Sequence, residues 1–279
     1  IIDPDLAPVI TSVKDRLSCQ QYWLLGAATG EFESLELALA DAQSEHEAVV
    51  VGPHETLLIM YTSGTTGLPK GAMLTHGNII WNNVNASYAF GNTRGDIALS
   101  AAPLFHIGGL NVMVIGSLQL GNPIVILRHF DPGAALAALE QYGVTHMFGA
   151  PAMFLFMSQH PSFDETNLQS LQMFLVGGAP VPEPLLELYS RRGIQFCQGY
   201  GLTETAPFSS FLGPEHALDK IGSAGLPPVM SDIRIVDENN NPLPANERGE
   251  ICARGPNIMK GYWNRPEATS KAIDAEGWF

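Results

Sequence analysis

From Leu57 onward, short apolar runs typical of β-strands alternate with stretches of helical periodicity. The predicted strands are Leu57–Tyr61, Ile97–Ala101, Ile124–Leu127, Val144–Phe148, Met173–Val176 and Ile194–Cys197. The helices predicted between them are Gly77–Ala86, Gly109–Leu120, Pro132–Tyr142, Met153–Gln159 and Pro182–Arg191. Parallel strands need long crossover connections, which are usually helical. The alternation therefore predicts an α/β fold in which a mostly parallel sheet is flanked by helices.

A segment without Asp, Glu, Lys or Arg lies within this series, between Ile97 and Leu127. A charge-free run of this kind superficially resembles a membrane span. It is interrupted by helix- and strand-breaking residues, namely Pro103, Gly108, Gly109, Gly116, Gly121 and Pro123. Strands that are covered on both faces are apolar throughout. We therefore interpret the segment as strand, loop, helix and strand of a buried core, and we expect no transmembrane segment.

The pattern of the chain changes near Gly213. Asp232–Val236 and Glu250–Ala253 alternate apolar and polar residues, and Asn239–Pro242 is a strong turn signal. This region predicts a small antiparallel β subdomain. In the N-terminal part, the acidic, alanine-rich stretch Phe32–Ala42 predicts a helix. The expected organisation is an N-terminal segment (1–56) packed on an α/β core (57–212), followed by a β-rich subdomain (213–279).

The net charge of −14 argues against binding to nucleic acid, because the phosphate backbone attracts basic proteins. Cys19, Cys197 and Cys252 are widely spaced, which favours neither a disulfide framework nor a zinc site. We therefore expect a reducing, cytoplasmic compartment. The first residues have neither the basic nor the apolar part of a signal peptide, and the missing initiator Met favours a fragment of a longer protein.

Residues 61–71 read YTSGTTGLPKG and directly follow an apolar run. Glycines let backbone N–H groups approach an anion, hydroxyls donate hydrogen bonds, and a lysine adds positive charge. The residues with these features are Thr62, Ser63, Gly64, Thr65, Thr66, Gly67, Lys70 and Gly71. The spacing is not that of the nucleotidase P-loop. A stretch of Ser, Thr and Gly is most often an ordinary loop, but the position after a strand and the terminal lysine favour a phosphate site.

Three further motifs follow this loop in the sequence. They are GGAP at 177–180, GYGLTET at 199–205, and ERGEI at 247–251 followed by GYW at 261–263. These motifs and their order resemble those of the AMP-forming adenylating superfamily, which contains acyl-CoA synthetases, luciferases and the adenylation domains of peptide synthetases. The resemblance implies part of the large N-terminal domain of an acyl-CoA synthetase-like fold.

The resemblance also implies a site for ATP or AMP, for Mg²⁺ and for CoA as a co-substrate. The phosphate loop from Thr62 to Lys70 would contact the β- and γ-phosphates, Thr203 the α-phosphate, and Tyr200 the adenine ring. Glu204 is the expected magnesium ligand, since Mg²⁺ is usually held by one or two carboxylates and by phosphate oxygens. Further nucleotide-binding residues are expected at Gly178, Ala179, Pro180, Gln198, Gly199 and Gly201. The expected catalytic residues are Lys70, His106, Thr203 and Glu204.

His106 lies in the segment Pro103–Gly109. A lone histidine among apolar residues usually belongs to the core. In this position, however, it resembles the histidine of acyl-CoA synthetases and luciferases that faces the acyl carboxylate. Relatives that activate amino acids usually carry an aspartate after the aromatic residue of this block, and the segment after Phe105 has none. This favours a simple carboxylic acid as the substrate.

The leading hypothesis is that ATP activates a carboxylic acid, fatty or other acyl, as an acyl-adenylate, which then reacts with CoA and releases AMP. A peptide-synthetase adenylation domain and a noncatalytic nucleotide-binding scaffold are the alternatives. In relatives, a Thr-Gly-Asp triplet and a domain with a catalytic lysine follow the region of Trp278 and Phe279. Neither is found here, so this chain alone is expected to be inactive. Peripheral membrane contact and homo-oligomer formation are left open.

Overall fold

In the computed structural model, which describes residues 1–42, 47–62 and 68–279, the chain divides into two units, residues 1–51 and 52–279. The first unit contains α1 (Ala7–Val13), β1 (Trp23–Leu24), β2 (Glu33–Ser34) and α2 (Leu35–Ala40). β1 and β2 pair in parallel. The predicted helix at 32–42 is shorter in the structure because Phe32 is part of a small core and Ser34 is the N-cap of α2. The Ser34 hydroxyl accepts a hydrogen bond from the Leu37 N–H.

The second unit contains the predicted series of strands and helices. In chain order these are β3 (Thr56–Thr62), β4 (Lys70–Thr75), α3 (His76–Phe90), β5 (Ala98–Ser100), a π-helix (Gly108–Ile115), α4 (Gly116–Leu120), β6 (Ile124–Ile126), α5 (Pro132–Gln141), β7 (His146–Gly149), α6 (Pro151–Gln159), β8 (Met173–Gly177), α7 (Glu183–Ser190), β9 (Gln195–Gly201), β10 (Phe208–Leu212), β11 (Asp232–Val236), β12 (Glu250–Arg254), β13 (Gly261–Tyr262) and α8 (Pro266–Ala272).

A six-stranded sheet with the order β10-β9-β8-β7-β5-β6 forms the centre of this unit. β10 is antiparallel to β9, and the other neighbours are parallel. The α/β prediction is therefore confirmed. The charge-free segment 97–127 forms β5, the π-helix with α4, and β6, as expected for buried core. Among the described residues, no helix is both long and apolar enough to span a bilayer.

Helices cover the central sheet on both faces, which explains why its strands are apolar without alternation. On β8, Phe174 and Val176 belong to a core cluster that includes residues of α5, α6 and α7. Met173 and Leu175, which point to the opposite face, belong to a second cluster with residues of α3 and the π-helix. The sheet therefore separates two apolar cores.

The strand predicted at 57–61 lies outside the central sheet. It forms β3, which pairs antiparallel with β4, and β13 pairs with the other edge of β4. β4 was not expected, because its first residues, Lys70 and Gly71, are weak strand formers. Its remaining residues have a clear reason to form a strand, since Ala72 and Leu74 are fully buried. Thr62 and Lys70, the two ends of the predicted phosphate loop, are consequently partners in an antiparallel strand pair.

The C-terminal region contains antiparallel strands, as the alternating pattern predicts. β11 pairs with β12 from Asp232–Arg254 to Val236–Glu250. Asn240 turns the chain between them with a φ of 63°, a conformation that asparagine tolerates better than most residues. The boundaries of the expected domains, 1–56, 57–212 and 213–279, remain predictions.

Candidate active site

The loops at the carboxyl ends of the parallel strands enclose two neighbouring cavities. Ligands of open α/β sheets usually bind at this edge, because the strand ends leave a crevice there. The first, which we call the His106 cavity, has a volume of about 490 Å³. The second, the Tyr200 cavity, has a volume of about 470 Å³. Both cavities are lined by Gly178, Gly199, Gly201 and Leu202, so they share one wall.

The His106 cavity has an apolar lining with few polar side chains. His106 and Thr203 line it together with Pro103, Gly108, Val112, Phe148, Met153 and Phe208. His106 is exposed, and its ring lies 5.4 Å from that of Phe105. It is therefore not a core residue, which was the alternative interpretation of its sequence context. The structure places it where it can contact a ligand in this cavity.

A π-helix forms part of the wall of the His106 cavity. π-Helices are rare and often occur at functional sites. Gly109, near its start, passes so close to the loop before it that a Cβ atom would lie 2.2 Å from the Pro103 carbonyl oxygen. Only glycine fits this approach. The consecutive glycines at 108 and 109 therefore keep the loop with His106 against the sheet.

The Tyr200 cavity contains most of the residues that the sequence predicts to bind nucleotide. Its lining includes Gly178, Ala179, Pro180, Gln198, Gly199, Tyr200 and Gly201. The Gln198 side-chain nitrogen, Nε2, is buried and has no hydrogen-bond partner within the described part of the chain. An unpaired buried donor is costly, and a ligand acceptor in this cavity would satisfy it.

The predicted motif at 199–201 lies within a strand rather than after one. β9 extends to Gly201, whereas the prediction ended it at Cys197. β9 pairs with β10 here, and a Cβ atom at Gly201 would lie 1.6 Å from the Pro207 carbonyl oxygen. Glycine is therefore needed for this close pairing. The apolar pattern did not show the extension, because the last three residues of the strand are Gly199, Tyr200 and Gly201, and glycine is a weak strand former.

Glu204 follows this strand in a short 3₁₀ turn, Thr203–Thr205. Its carboxylate is buried, with 8% of the residue exposed. Oε1 accepts a hydrogen bond of 2.8 Å from the hydroxyl of Tyr262, a residue that is also buried. Burial, and then the hydrogen bond to Glu204, raise the pKa of Tyr262 above its usual range. The hydroxyl therefore stays protonated and donates to the carboxylate.

Lys70 contacts the same tyrosine from the other side. Its Nζ lies 4.5 Å from the centre of the Tyr262 ring, within the range of a cation–π interaction. Lys70 also lines a third cavity, of about 270 Å³, with Tyr61, Trp263 and Arg265. Two of the predicted catalytic residues, Lys70 and Glu204, are thus joined through Tyr262. Neither of them lines the His106 or Tyr200 cavity.

The structure describes the two residues at the ends of the predicted phosphate loop, Thr62 and Lys70. Thr62 is the last residue of β3, Lys70 is the first residue of β4, and the two are partners in the hairpin. The Thr62 hydroxyl donates to the Lys70 carbonyl oxygen over 3.5 Å. The predicted phosphate-binding residues Ser63, Gly64, Thr65, Thr66 and Gly67 lie outside the described residues.

Buried asparagines hold the turn that contains Glu204, and sequence reasoning missed them. Asn257, fully buried, donates to the carbonyl oxygens of Thr205 and Phe208, each over 2.8 Å. Asn82 accepts from the Phe208 N–H over 3.1 Å, and Asn111 donates to the Ala206 carbonyl oxygen over 2.5 Å. For Asn82 and Asn111 the signal was available, because asparagine inside a helix is unfavourable unless it serves a structural purpose.

The described residues do not contain a group of three or more His, Cys, Asp or Glu that could hold a metal ion. A magnesium ion bound with a nucleotide does not need such a group, because phosphates and waters provide most of its ligands. Glu204 fits this chemistry. Its second oxygen, Oε2, makes no hydrogen bond within residues 1–42, 47–62 and 68–279, and is available as a ligand.

Comparison with known proteins identifies the family. Residues 3–263 match the model of the AMP-binding enzyme family. Feruloyl-CoA synthase from an Amycolatopsis species is 44% identical over 256 residues, which cover 92% of this chain and 50% of that enzyme. This chain therefore spans about half the length of that relative.

Solved structures show the same relationship. The N-terminal domain of FACL13 from Mycobacterium tuberculosis matches with a TM-score of 0.87 and 32% identity, over 99% of this chain and 68% of that one. The O-succinylbenzoate CoA synthetase of Bacillus subtilis, in complex with ATP and a magnesium ion, matches with a TM-score of 0.81 and 30% identity, over 97% of this chain and 57% of that one. The protein belongs to the AMP-binding enzyme family, the adenylate-forming group that contains these CoA ligases.

Proposed function

We propose that the full-length protein activates a carboxylic acid with ATP and transfers the acyl group from the adenylate to CoA, releasing AMP and pyrophosphate. The observation that carries this proposal is the shared wall of the His106 and Tyr200 cavities. Adenylation requires the carboxylate of one substrate to reach the α-phosphate of another, so the two substrates must bind side by side. Two cavities of similar size that meet at Gly178, Gly199 and Gly201 suit this requirement.

The nucleotide is assigned to the Tyr200 cavity. Tyr200 offers an aromatic face for adenine, and the small residues Ala179 and Pro180 leave room for a ring. The Gln198 nitrogen, which has no partner in the part of the chain that the structure describes, can donate to a ring acceptor. Thr203 lines the His106 cavity next to the shared wall, a suitable position for a contact with the α-phosphate. The phosphate chain would then extend toward Lys70 and the loop at 62–70.

Glu204 is assigned to Mg²⁺ through Oε2, the oxygen that has no partner among the described residues. Magnesium would neutralise charge on the phosphates and on the pyrophosphate leaving group. Lys70 would add a second positive charge in the same region, where charge develops as pyrophosphate departs. The residues of this chain therefore bind and orient the phosphate chain, and they stabilise the leaving group.

The acid is assigned to the His106 cavity. Phe148, Met153, Val112 and Phe208 offer an apolar surface for the body of the substrate, and His106 can donate a hydrogen bond to its carboxylate. No Asp or Glu lines this cavity within the described residues. An amino-acid substrate would need such a residue for its α-amino group, so a simple carboxylic acid is favoured over a peptide-synthetase reaction. Ring-bearing and fatty acids both fit an apolar lining.

The substrate class can be tested with acid-dependent pyrophosphate exchange. The full-length protein would be incubated with ATP, Mg²⁺ and labelled pyrophosphate, in the presence of ferulate, 2-succinylbenzoate, a series of fatty acids or a mixture of amino acids. We expect exchange with apolar carboxylic acids and thioester formation when CoA is added. Exchange with amino acids alone would overturn the proposal in favour of a peptide-synthetase domain. Tight ATP binding without exchange on any acid would indicate a noncatalytic nucleotide-binding protein.

A further inference from the structure

Tyr262 contacts both charged residues of the proposed phosphate site. Its hydroxyl donates to Glu204 Oε1 over 2.8 Å, and its ring lies 4.5 Å from Lys70 Nζ. Only 5% of Tyr262 and 8% of Glu204 is exposed. A hydrogen bond to a carboxylate inside a protein is stronger than one between neutral groups, and burial limits competition from water. The contact therefore restricts the orientation of the Glu204 carboxylate.

The backbone around Tyr262 is held against both partners. The Met259 N–H donates to the Glu204 carbonyl oxygen over 2.8 Å, and the Trp263 N–H donates to the Gly71 carbonyl oxygen over 2.8 Å. Between these two contacts, Tyr262 is paired with Ala72 of β4. A segment of a few residues thus connects the turn after β9 to the strand that begins with Lys70. These backbone contacts hold Tyr262 close to both Glu204 and Lys70.

The two contacts of Tyr262 use different parts of its side chain. The hydroxyl binds one oxygen of Glu204 and leaves the other, Oε2, without a partner in the described residues. The ring supports the ammonium group of Lys70. Removal of the hydroxyl alone should therefore alter the orientation of the Glu204 carboxylate and leave the position of the Lys70 ammonium group unchanged. Removal of the ring should alter both.

We propose that Tyr262 is a positioning residue that fixes Glu204 for Mg²⁺ through its hydroxyl and Lys70 for phosphate through its ring. This inference rests on the proposed function, because it assumes that Glu204 and Lys70 receive magnesium and the phosphates of ATP. Tyr262 itself touches neither the substrates nor the reacting atoms in this assignment. It couples two residues that belong to separate parts of the sequence.

The test uses the full-length protein and measures ATP binding by calorimetry, with Mg²⁺ and with EDTA. For Tyr262→Phe, we expect MgATP binding to weaken about ten-fold and ATP binding in EDTA to stay within about two-fold of wild type, as for the loss of one charged hydrogen bond. The Mg²⁺ concentration that half-saturates pyrophosphate exchange should rise by a similar factor. Tyr262→Leu should also weaken ATP binding in EDTA, because Lys70 loses the ring.

Tyr189→Phe is the matched control. Tyr189 is another buried tyrosine, and its hydroxyl donates to the Phe154 carbonyl oxygen over 2.7 Å in the core between α6 and α7. Its loss should lower the melting temperature and leave the magnesium requirement unchanged. If Tyr262→Phe behaves in the same way, the role of Tyr262 is structural only and the proposal is wrong.

A double-mutant cycle with Glu204→Gln provides a second test. If the Tyr262 hydroxyl acts through the Glu204 carboxylate, Tyr262→Phe should cause no further loss of MgATP affinity in the Glu204→Gln background. Equal losses in both backgrounds would overturn the proposal. Failure of the proposed function is recognised separately, because the wild-type protein itself would then show no acid-dependent exchange.

Discussion

Lys70 and Glu204 are the residues on which the proposed chemistry most depends. Lys70 is half-buried at the start of β4, and Glu204 is buried in the turn after β9. A buried carboxylate is unfavourable unless hydrogen bonds or a cation compensate it. Within the described part of the chain, Glu204 has one hydrogen bond to a side chain and one oxygen without a partner, which is the arrangement expected for a carboxylate that binds a cation.

Substitution of these residues should reduce adenylation. We expect Lys70→Ala and Glu204→Ala each to lower acid-dependent pyrophosphate exchange ten-fold or more, which corresponds to about 1.4 kcal/mol of transition-state stabilisation. Lys271→Ala removes an exposed lysine of α8 and should have no effect. Wild-type exchange rates in both site variants would contradict the assignment of the phosphate site.

A second prediction at this scale concerns His106. Because the side chain is exposed and lines the cavity, His106→Ala should impair use of the acid while the melting temperature and the ATP affinity stay close to wild type. His129→Ala, in an exposed loop, is the control for loss of a histidine. Steady-state kinetics with varied acid and calorimetry with ATP would measure the two effects. A parallel loss of stability and of ATP binding would show that His106 is structural.

At the scale of elements, the site depends on how loops are attached to the sheet. The turn after β9 contains few apolar anchors of its own, and asparagines from α3, the π-helix and the segment before β13 hold its carbonyl and N–H groups. Such contacts fix backbone geometry more closely than apolar packing, since hydrogen bonds are directional. The turn that contains Glu204 is therefore positioned by three separate parts of the chain.

The contribution of Asn257 to holding this turn can be measured with the variant Asn257→Ala. The variant leaves two buried carbonyl oxygens, those of Thr205 and Phe208, without their donor, so the free energy of unfolding should fall by about 2–4 kcal/mol. Asn239→Ala, in the exposed turn after β11, should change it by less than about 0.5 kcal/mol. Urea unfolding monitored by circular dichroism would measure both. Equal stability of the two variants would show that Asn257 does not hold the turn.

At the scale of the whole molecule, stability depends on a core that encloses polar as well as apolar groups. His146 on β7 is 3% exposed, and its Nδ1 lies 3.9 Å from Asp96 Oδ1. Burial lowers the pKa of His146 below its usual value of 6.5, and the nearby Asp96 opposes this only in part. The folded protein therefore keeps His146 neutral at pH values where the unfolded chain binds a proton.

This linkage predicts a stability loss in mild acid. Below about pH 6.5 the unfolded state binds more protons at His146 than the folded state, so the free energy of unfolding should fall by up to about 1.4 kcal/mol per pH unit. His146→Gln, which cannot titrate, should lose less stability between pH 7.5 and pH 5.5 in urea unfolding experiments. Titratable groups that do not contact His146 make the same contribution to the pH dependence of both proteins, so their contributions cancel in the comparison. An identical pH dependence in the two proteins would contradict the prediction.

Much of the fold could be predicted from the sequence, because the signals are local. The strands of the central sheet and the helices between them follow from apolar runs, periodicity and the positions of glycine and proline. Ile97–Leu127 could be assigned to the core for the same reason. The composition of the loop at 61–71 and the motif at 199–205 also indicated a nucleotide site, since backbone access and charge depend on residue type at short spacing.

The tertiary structure alone decided which of these residues meet. The sequence did not show that β3 and β4 form a separate hairpin, that β13 pairs with β4, or that Tyr262 contacts both Lys70 and Glu204. These are contacts between residues far apart in the chain, and they depend on the order of strands and on packing. A local pattern predicts the element to which a residue belongs. The partner of that residue is determined only when the whole core has formed.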